Sequence, residues 1–267
     1  MKKIDVHVHL GSDPLILREG RKVIGKEVTV SNLIKDMKDN DVEKAVILAF
    51  DIPGHEVKDE EIYDISKKFS NKFMPCACVN PLRYKDFGVE KISMLKDFKI
   101  IKLMPPYQFF YPDDQKIYPF YEECVRQKKI LIFHTGTTDY PSAKLVYGDP
   151  LRIDTVAVDF PKLKILMAHS GDPWFKETAD IVIKNSNVYA DVSGIILGTD
   201  MTRGKHSLIN FFDRHLSLFP EDKLMYGSDW PFTKMEDYTE VIEKYPFKSE
   251  EFVKKLCYKN AEKFLEF

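Results

Sequence analysis

Two histidines one residue apart, His7 and His9, stand in the run Asp5-Val6-His7-Val8-His9. From Lys3 to Leu10, apolar Ile4, Val6 and Val8 alternate with polar Asp5, His7 and His9. That period of two predicts a strand with two unlike faces. Imidazoles at i and i+2 point the same way and can share one cation. Three further apolar runs end in a polar group where a loop begins. Ile130-Leu131-Ile132-Phe133 ends in His134, Ile165-Leu166-Met167-Ala168 in His169, and Leu224-Met225-Tyr226-Gly227-Ser228 in Asp229. Four of the seven histidines occupy these places. A lone histidine at a strand end is usually structural. Four of them with one aspartate at corresponding positions point to a metal centre. Imidazole and carboxylate without cysteine suit zinc, manganese or iron.

The elements that must position these groups alternate between strand and helix. Strands are expected over 3–9, 44–50, 73–79, 99–104, 130–134, 164–169, 187–192 and 223–228, each mostly apolar, as parallel strands covered on both faces should be. A polar face then turns inward, where a buried histidine needs a ligand or a partner. Helical stripes fall between them. Thr29 reads as a cap before Val30, Leu33, Ile34 and Met37. Asp59-Glu60-Glu61 forms an acidic first turn before Ile62, Ile65 and Phe69. Asp149-Pro150 reads as a cap with proline at the first helical position. Segments 236–244, 249–257 and 260–266 supply the last helices, with Asn260 as a cap. Eight such strands fit a closed barrel or an open doubly wound sheet. The metal-type residues end the first, fifth, sixth and eighth strands. Only in a closed barrel are the first and eighth strands neighbours around one mouth. The expectation is therefore α/β, a single (β/α)8 TIM-type barrel over 1–267.

The 267 residues carry a formal net charge of −2, which suits one such barrel and gives no nucleic-acid footprint. No apolar run approaches transmembrane length and no apolar leader precedes the first strand, so a cytoplasmic protein is expected, without membrane association. The four cysteines have no framework spacing, and Cys76 and Cys78 read as buried reduced thiols on a strand.

The ordered set His7-x-His9, Lys102, His134, His169 and Asp229 resembles the amidohydrolase superfamily, and more closely its amidohydrolase-related branch, which includes aminocarboxymuconate-semialdehyde decarboxylase-like enzymes. Matching segments are Tyr147-Gly148-Asp149-Pro150, Ala168 to Trp174, Asn187 to Gly194, Gly227-Ser228-Asp229-Trp230-Pro231 and Asn260-Ala261-x-x-Phe264. The resemblance implies a distorted barrel with metal at its mouth, and no added β-domain. It implies that His7, His9, His134 and Asp229 hold one ion, most simply zinc, with manganese or iron as alternatives. His169 is then an acid/base group or a further ligand. In binuclear members a carboxylated lysine bridges two metals, and Lys102 stands at that position. The alternatives for Lys102 are a substrate-binding ammonium or a partner of Asp229. A homodimer is a further implication.

A metal with an open position lowers the pKa of a bound water toward about 7. Asp229 could accept that water's proton, and His169 could polarise a carbonyl or shuttle protons. This machinery suits hydrolysis of a small-molecule amide, lactone or other ester. The same groups serve non-oxidative decarboxylation of an aromatic or unsaturated acid. A catalytically idle barrel acting as a binding scaffold is the third reading, disfavoured because every metal position is intact. Substrate determinants are expected in the loops after the strands. Arg18 and Arg21 could clamp a carboxylate, or be solvated loop arginines. Tyr107, Phe109, Phe110 and Tyr111 follow two prolines and could wall a planar substrate or pack on a neighbouring loop. Trp174 and Trp230 could line the pocket or pack against helix ends. Arg203 and His206 are weaker candidates, and His55 and His215 read as surface or core histidines.

Overall fold

Apart from the first, with its polar Asp5, His7 and His9, the parallel strands of this chain are largely apolar on both faces, and in the computed structural model both faces are covered. The structure describes residues 1–195, 213–243 and 249–266. The main sheet has eight strands: β1 (Lys3–His9), β2 (Val42–Leu48), β5 (Phe73–Cys78), β6 (Ile100–Leu103), β7 (Ile130–His134), β8 (Lys164–Ala168), β9 (Val188–Asp191) and β10 (Leu224–Met225), neighbours in that order. All paired neighbours in it are parallel. The last strand is regular for only two residues. Its continuation closes the ring on β1 through Val6 N–H to the Tyr226 carbonyl at 3.0 Å, Asp229 N–H to the His7 carbonyl at 2.8 Å, and His9 N–H to the Trp230 carbonyl at 2.6 Å. The expected eight-stranded barrel is therefore formed, with its last strand shorter than the expected 223–228.

On most strands, residues two apart sort into the same one of two apolar clusters. Val46 and Leu48, Ile130 and Ile132, and Leu166 and Ala168 belong to the barrel interior, which Ala261, Phe264 and Leu265 of the C-terminal helix plug. The alternate residues, such as Ile47, Leu131 and Met167, pack outward against the helices. Lys99 Nζ and Lys164 Nζ donate to the carbonyls of Leu265 and Phe264, at 2.7 and 3.1 Å. Cations at the end of a helix meet its unpaired carbonyls, and here they fasten the plug over the mouth opposite the strand ends.

On β1 the simple alternation fails. Ile4 and Val6 belong to the interior cluster, whereas Val8 belongs to the outer one. The pairing with β2 shifts register between Asp5 and Val8. Such an irregularity re-aims side chains, so Val6, His7 and His9 are not split between faces as a strict period of two requires.

Three local features depart from the expected layout. A hairpin of β3 (Phe50–Ile52) and β4 (His55–Val57) follows β2. Arg18 and Arg21 lie on a helix, Pro14–Ile24, capped by Asp13, whose carboxylate accepts from Leu15 N–H at 2.7 Å. Asp13-Pro14 carries the same signature as Asp149-Pro150, where Asp149 accepts from Leu151 N–H at 2.9 Å. Asn260 is not a cap: the helix runs through it, and its side-chain amide donates to the Glu221 and Leu224 carbonyls, each at 2.8 Å. Thr29 does cap its helix, accepting from Asn32 N–H at 3.2 Å. The four cysteines are free and buried. Among the described residues no helix is long and apolar enough to cross a membrane.

Trp230 belongs to the core and not to a pocket wall. It is fully buried in the outer cluster, and its indole N–H donates to Asp36 at 3.0 Å. Trp230→Ala is expected to cost about 3–5 kcal/mol of stability, from lost burial and the cavity left behind. Chemical denaturation would read this as a lower midpoint; a change below about 1 kcal/mol would show that the site collapses around the deletion.

Candidate active site

The strand ends converge as the barrel requires. His7 Nε2 lies 3.6 Å and His9 Nε2 3.4 Å from Asp229 Oδ1, and one ligand atom from each residue lies within 4.8 Å of the others. All three side chains are buried. Burial, with the positive potential of Lys102 and neighbouring rings, holds His7 and His9 well below the ordinary histidine range. They are neutral and keep lone pairs. Burial pushes the Asp229 carboxyl up to about 8; Lys102 opposes this, and Asp191 and Asp5 add to it. Neutral imidazoles around a carboxylate that burial disfavours form a donor set that a divalent cation would stabilise. The residues therefore fit a metal.

Asp191 supports this group, although strand-end reasoning passed over it. One of its oxygens lies 3.2 Å from His7 Nδ1, and the other accepts the backbone N–H of His169 and of Ser193, each at 3.0 Å. A carboxylate on Nδ1 fixes the ring so that Nε2 keeps its lone pair. The sequence signal was present: Val188-Tyr189-Ala190 ends in Asp191 as the other runs end in His134 and His169. His7, His169 and Asp191 form a second close group, but its carboxylate is already committed to these hydrogen bonds. Among the described residues His9 has no comparable support; its Nδ1 is buried with no hydrogen-bond partner there.

His134 does not join the His7–His9–Asp229 group. Its Nδ1 lies 3.1 Å from His169 Nε2, and its Nε2 lies 3.2 Å from the Thr137 carbonyl. His169 Nδ1 in turn lies 3.0 Å from the Ser193 carbonyl. Burial, then the charges around it, lowers His134 well below the histidine range and brings His169 down to about 4. Two neutral rings offer two N–H groups to these three contacts, so one contact lacks a hydrogen. His169 and Asp229 both have positive φ, 62° and 65°. Gly194 leaves the space between them: a Cβ there would stand 2.7 Å from His169 Nδ1 and 3.4 Å from Asp229 Oδ2.

Lys102 lies within the barrel and is fully buried, its Nζ 3.4 Å from His7 Nε2. It is not among the residues on the cavity lining, where a substrate-binding ammonium was expected. Among the described residues no carboxylate comes within ion-pair distance of it, Asp229 included. Burial lowers its pKa from the ordinary lysine value.

Above these groups lies a cavity of about 560 Å³. His9, His134, His169 and Asp229 form its chemical floor, and Phe50, Tyr107, Tyr140 and Phe232 its walls. Tyr107 meets the His134 ring edge-on, with centroids 5.0 Å apart, and its hydroxyl lies 2.5 Å from Thr138 Oγ1. Of the other loop aromatics, Phe110 is buried, while Phe109 and Tyr111 pack on Tyr147. Both readings of that loop thus apply, to different residues. Arg18 borders the cavity, but its side chain is 63% exposed and its Nε donates to Glu19 at 2.6 Å. Arg21 pairs with Glu27 at 2.9 Å outside it. Trp174 precedes the helix Phe175–Lys184 and is not on the cavity lining. His55 reaches Asp13 at 3.1 Å, and the His215 ring packs on Phe175. Arg203 and His206 lie outside the described residues.

A family model described as Amidohydrolase matches residues 4–267. No curated protein matches the chain. Among solved structures, an uncharacterised TIM-barrel protein from Bordetella bronchiseptica is 20% identical, with a TM-score of 0.78, covering 100% of this chain and 99% of its own. A probable 2-pyrone-4,6-dicarboxylic acid hydrolase from Acinetobacter baumannii is 16% identical, with a TM-score of 0.74 and 100% of both chains covered. A 5-carboxyvanillate decarboxylase from Novosphingobium aromaticivorans, complexed with manganese and 4-hydroxy-3-methoxy-5-nitrobenzoic acid, is 17% identical, with a TM-score of 0.69, covering 100% of this chain and 96% of its own. At these identities the likeness is one of fold.

Proposed function

The chain belongs to the amidohydrolase family, and from that premise we propose that it is a metal-dependent hydrolase of a small-molecule amide, lactone or other ester. The observation that carries the reading is the meeting of His7, His9 and Asp229 beneath a cavity that His169 also lines. His7, His9 and Asp229 would hold one divalent cation, with His134 joining them by turning from the Thr137 carbonyl. When bound, such an ion supplies Lewis-acid polarisation and an acidified water. Asp229 takes the proton of the attacking water and passes it to the leaving group. His169 faces the reacting carbonyl. Its ring orientation is set by the Ser193 carbonyl, its backbone by Asp191. Phe50, Tyr107 and Phe232 exclude water from the reacting centre. An idle scaffold would need none of these groups in register.

Decarboxylation remains the second reading, because the aromatic walls also suit a planar acid and several structures of this fold are decarboxylases. The charge of the described lining favours hydrolysis: among the described residues its one arginine, Arg18, is already paired with Glu19. The two reactions differ in the atoms they consume. Hydrolysis in oxygen-18 water is expected to place the label in the product acid. Decarboxylation would instead release carbon dioxide and, in deuterium oxide, leave a carbon-bound deuterium. A panel of lactones and amides beside hydroxybenzoates and muconate-type acids tests this. Carbon dioxide release from the acids, with no lactone or amide turned over, would reverse the assignment.

A further inference from the structure

The cavity contains a carboxylate that the proposed chemistry does not use. Asp172 stands three residues after His169 and lines the cavity. Its backbone is held at both ends: its N–H donates to the His169 carbonyl at 3.0 Å, and its carbonyl accepts from Thr137 N–H at 2.7 Å. Gly136 allows this close approach, since a Cβ there would stand 2.2 Å from the Asp172 carbonyl oxygen. The side chain is thus presented by a fixed turn beside His169. Among the described residues it has neither a hydrogen bond nor an ion pair. Among the described residues, the other acids on the lining are Glu19, Asp139 and Asp229, against Arg18 as the one lysine or arginine. Arg18 is spent on Glu19, and Asp229 would be neutralised by the ion it helps to hold. That leaves Asp139 and Asp172 as lining carboxylates without a cation among the described residues, and of the two Asp172 is the one held by its backbone to His169.

We propose that Asp172 is a specificity-determining residue that receives an ammonium group on the substrate, so that the cavity takes an amine-bearing ring compound. The inference rests on the hydrolase reading and names its substrate class. A partly desolvated carboxylate gains most from a charged donor, and it repels a second carboxylate placed beside it. The ring belongs against Phe50, Tyr107, Tyr140 and Phe232, whose faces also favour a nearby cation. A volume of about 560 Å³ suits a single substituted ring.

Calorimetric titration of the metal-loaded protein with benzylamine, benzyl alcohol and benzoate tests the assignment. Benzylamine should bind wild type about tenfold more tightly than benzyl alcohol. Asp172→Asn should erase that advantage while leaving benzyl alcohol within about twofold, and Asp172→Glu should retain part of it. Unchanged benzyl alcohol binding shows that the variants keep the cavity. An amine held by the metal instead would keep its advantage in Asp172→Asn, and that result overturns the proposal. So does benzylamine binding no better than benzyl alcohol to wild type, or not binding at millimolar concentration. No turnover is needed, so this failure leaves hydrolysis standing. Absence of oxygen-18 label would remove hydrolysis without touching the binding preference.

Discussion

Asp229→Asn is expected to give a folded protein whose turnover falls about 10²–10⁴-fold. The amide can neither accept a proton from water nor deliver one to a leaving group. Retention of the fold follows from the electrostatics. With burial pushing the carboxyl to about 8, the metal-free wild type at pH 7 already holds it largely protonated, a form that an amide resembles. The sign of the linkage is definite. A carboxyl whose folded pKa exceeds its unfolded value favours folding when protonated, and that contribution is lost as pH rises from about 3.8 through about 8. The metal-free Asn variant, uncharged throughout, should be at least as stable as wild type near pH 8, with the gap closing toward pH 4. Asp229 is also a candidate ligand, so turnover must be compared at equal metal occupancy. Near wild-type turnover in a metal-loaded variant would remove Asp229 from the base role.

The residues of this site were legible because a barrel converts strand order into proximity. Apolar runs ending in His134, His169 and Asp229 marked three strand ends, and neighbouring first and last strands brought Asp229 to His7 and His9. The same logic covered Asp191, whose run has the same form. It was passed over because a carboxylate supporting a histidine has no spacing of its own. Trp230 shows the limit in the other direction. Adjacency to Asp229 suggested the pocket, but at the barrel's closing seam the indole enters the core beside Asp36. Lys102 was placed on the correct strand, yet its depth decides its role, and depth is set by the packing of all eight strands. The helix Pro14–Ile24 was announced by Asp13-Pro14. The re-aiming of β1 was not, since the register shift between Asp5 and Val8 arises from pairing with β2 and leaves no mark in the alternation.

Metal occupancy carries the other large expected effect. Wild-type protein reconstituted with zinc or manganese should retain about one equivalent through dialysis, and chelation should abolish its activity. His7→Ala should lower occupancy to a small fraction, because it removes a ligand from a group of three close donors. Asp191→Ala should be milder, weakening affinity about 10–100-fold as the loss of a ligand's supporting carboxylate does. Asp191→Asn separates that support from simple packing. The amide oxygen can still accept from the N–H groups of His169 and Ser193, as the carboxylate does at 3.0 Å. Its NH₂ then faces His7 Nδ1 and donates to it, so the ring proton moves to Nε2, the atom that meets Asp229. A protonated Nε2 cannot ligate. The isosteric change should therefore cost at least as much affinity as the truncation to alanine, the reverse of what volume alone predicts. Metal analysis after titration against a chromogenic chelator reads the order directly. Affinity in Asp191→Asn equal to wild type would mean that Asp191 does not set the tautomer of His7. Wild-type protein that holds no metal and ignores chelators would dissolve the metal centre itself.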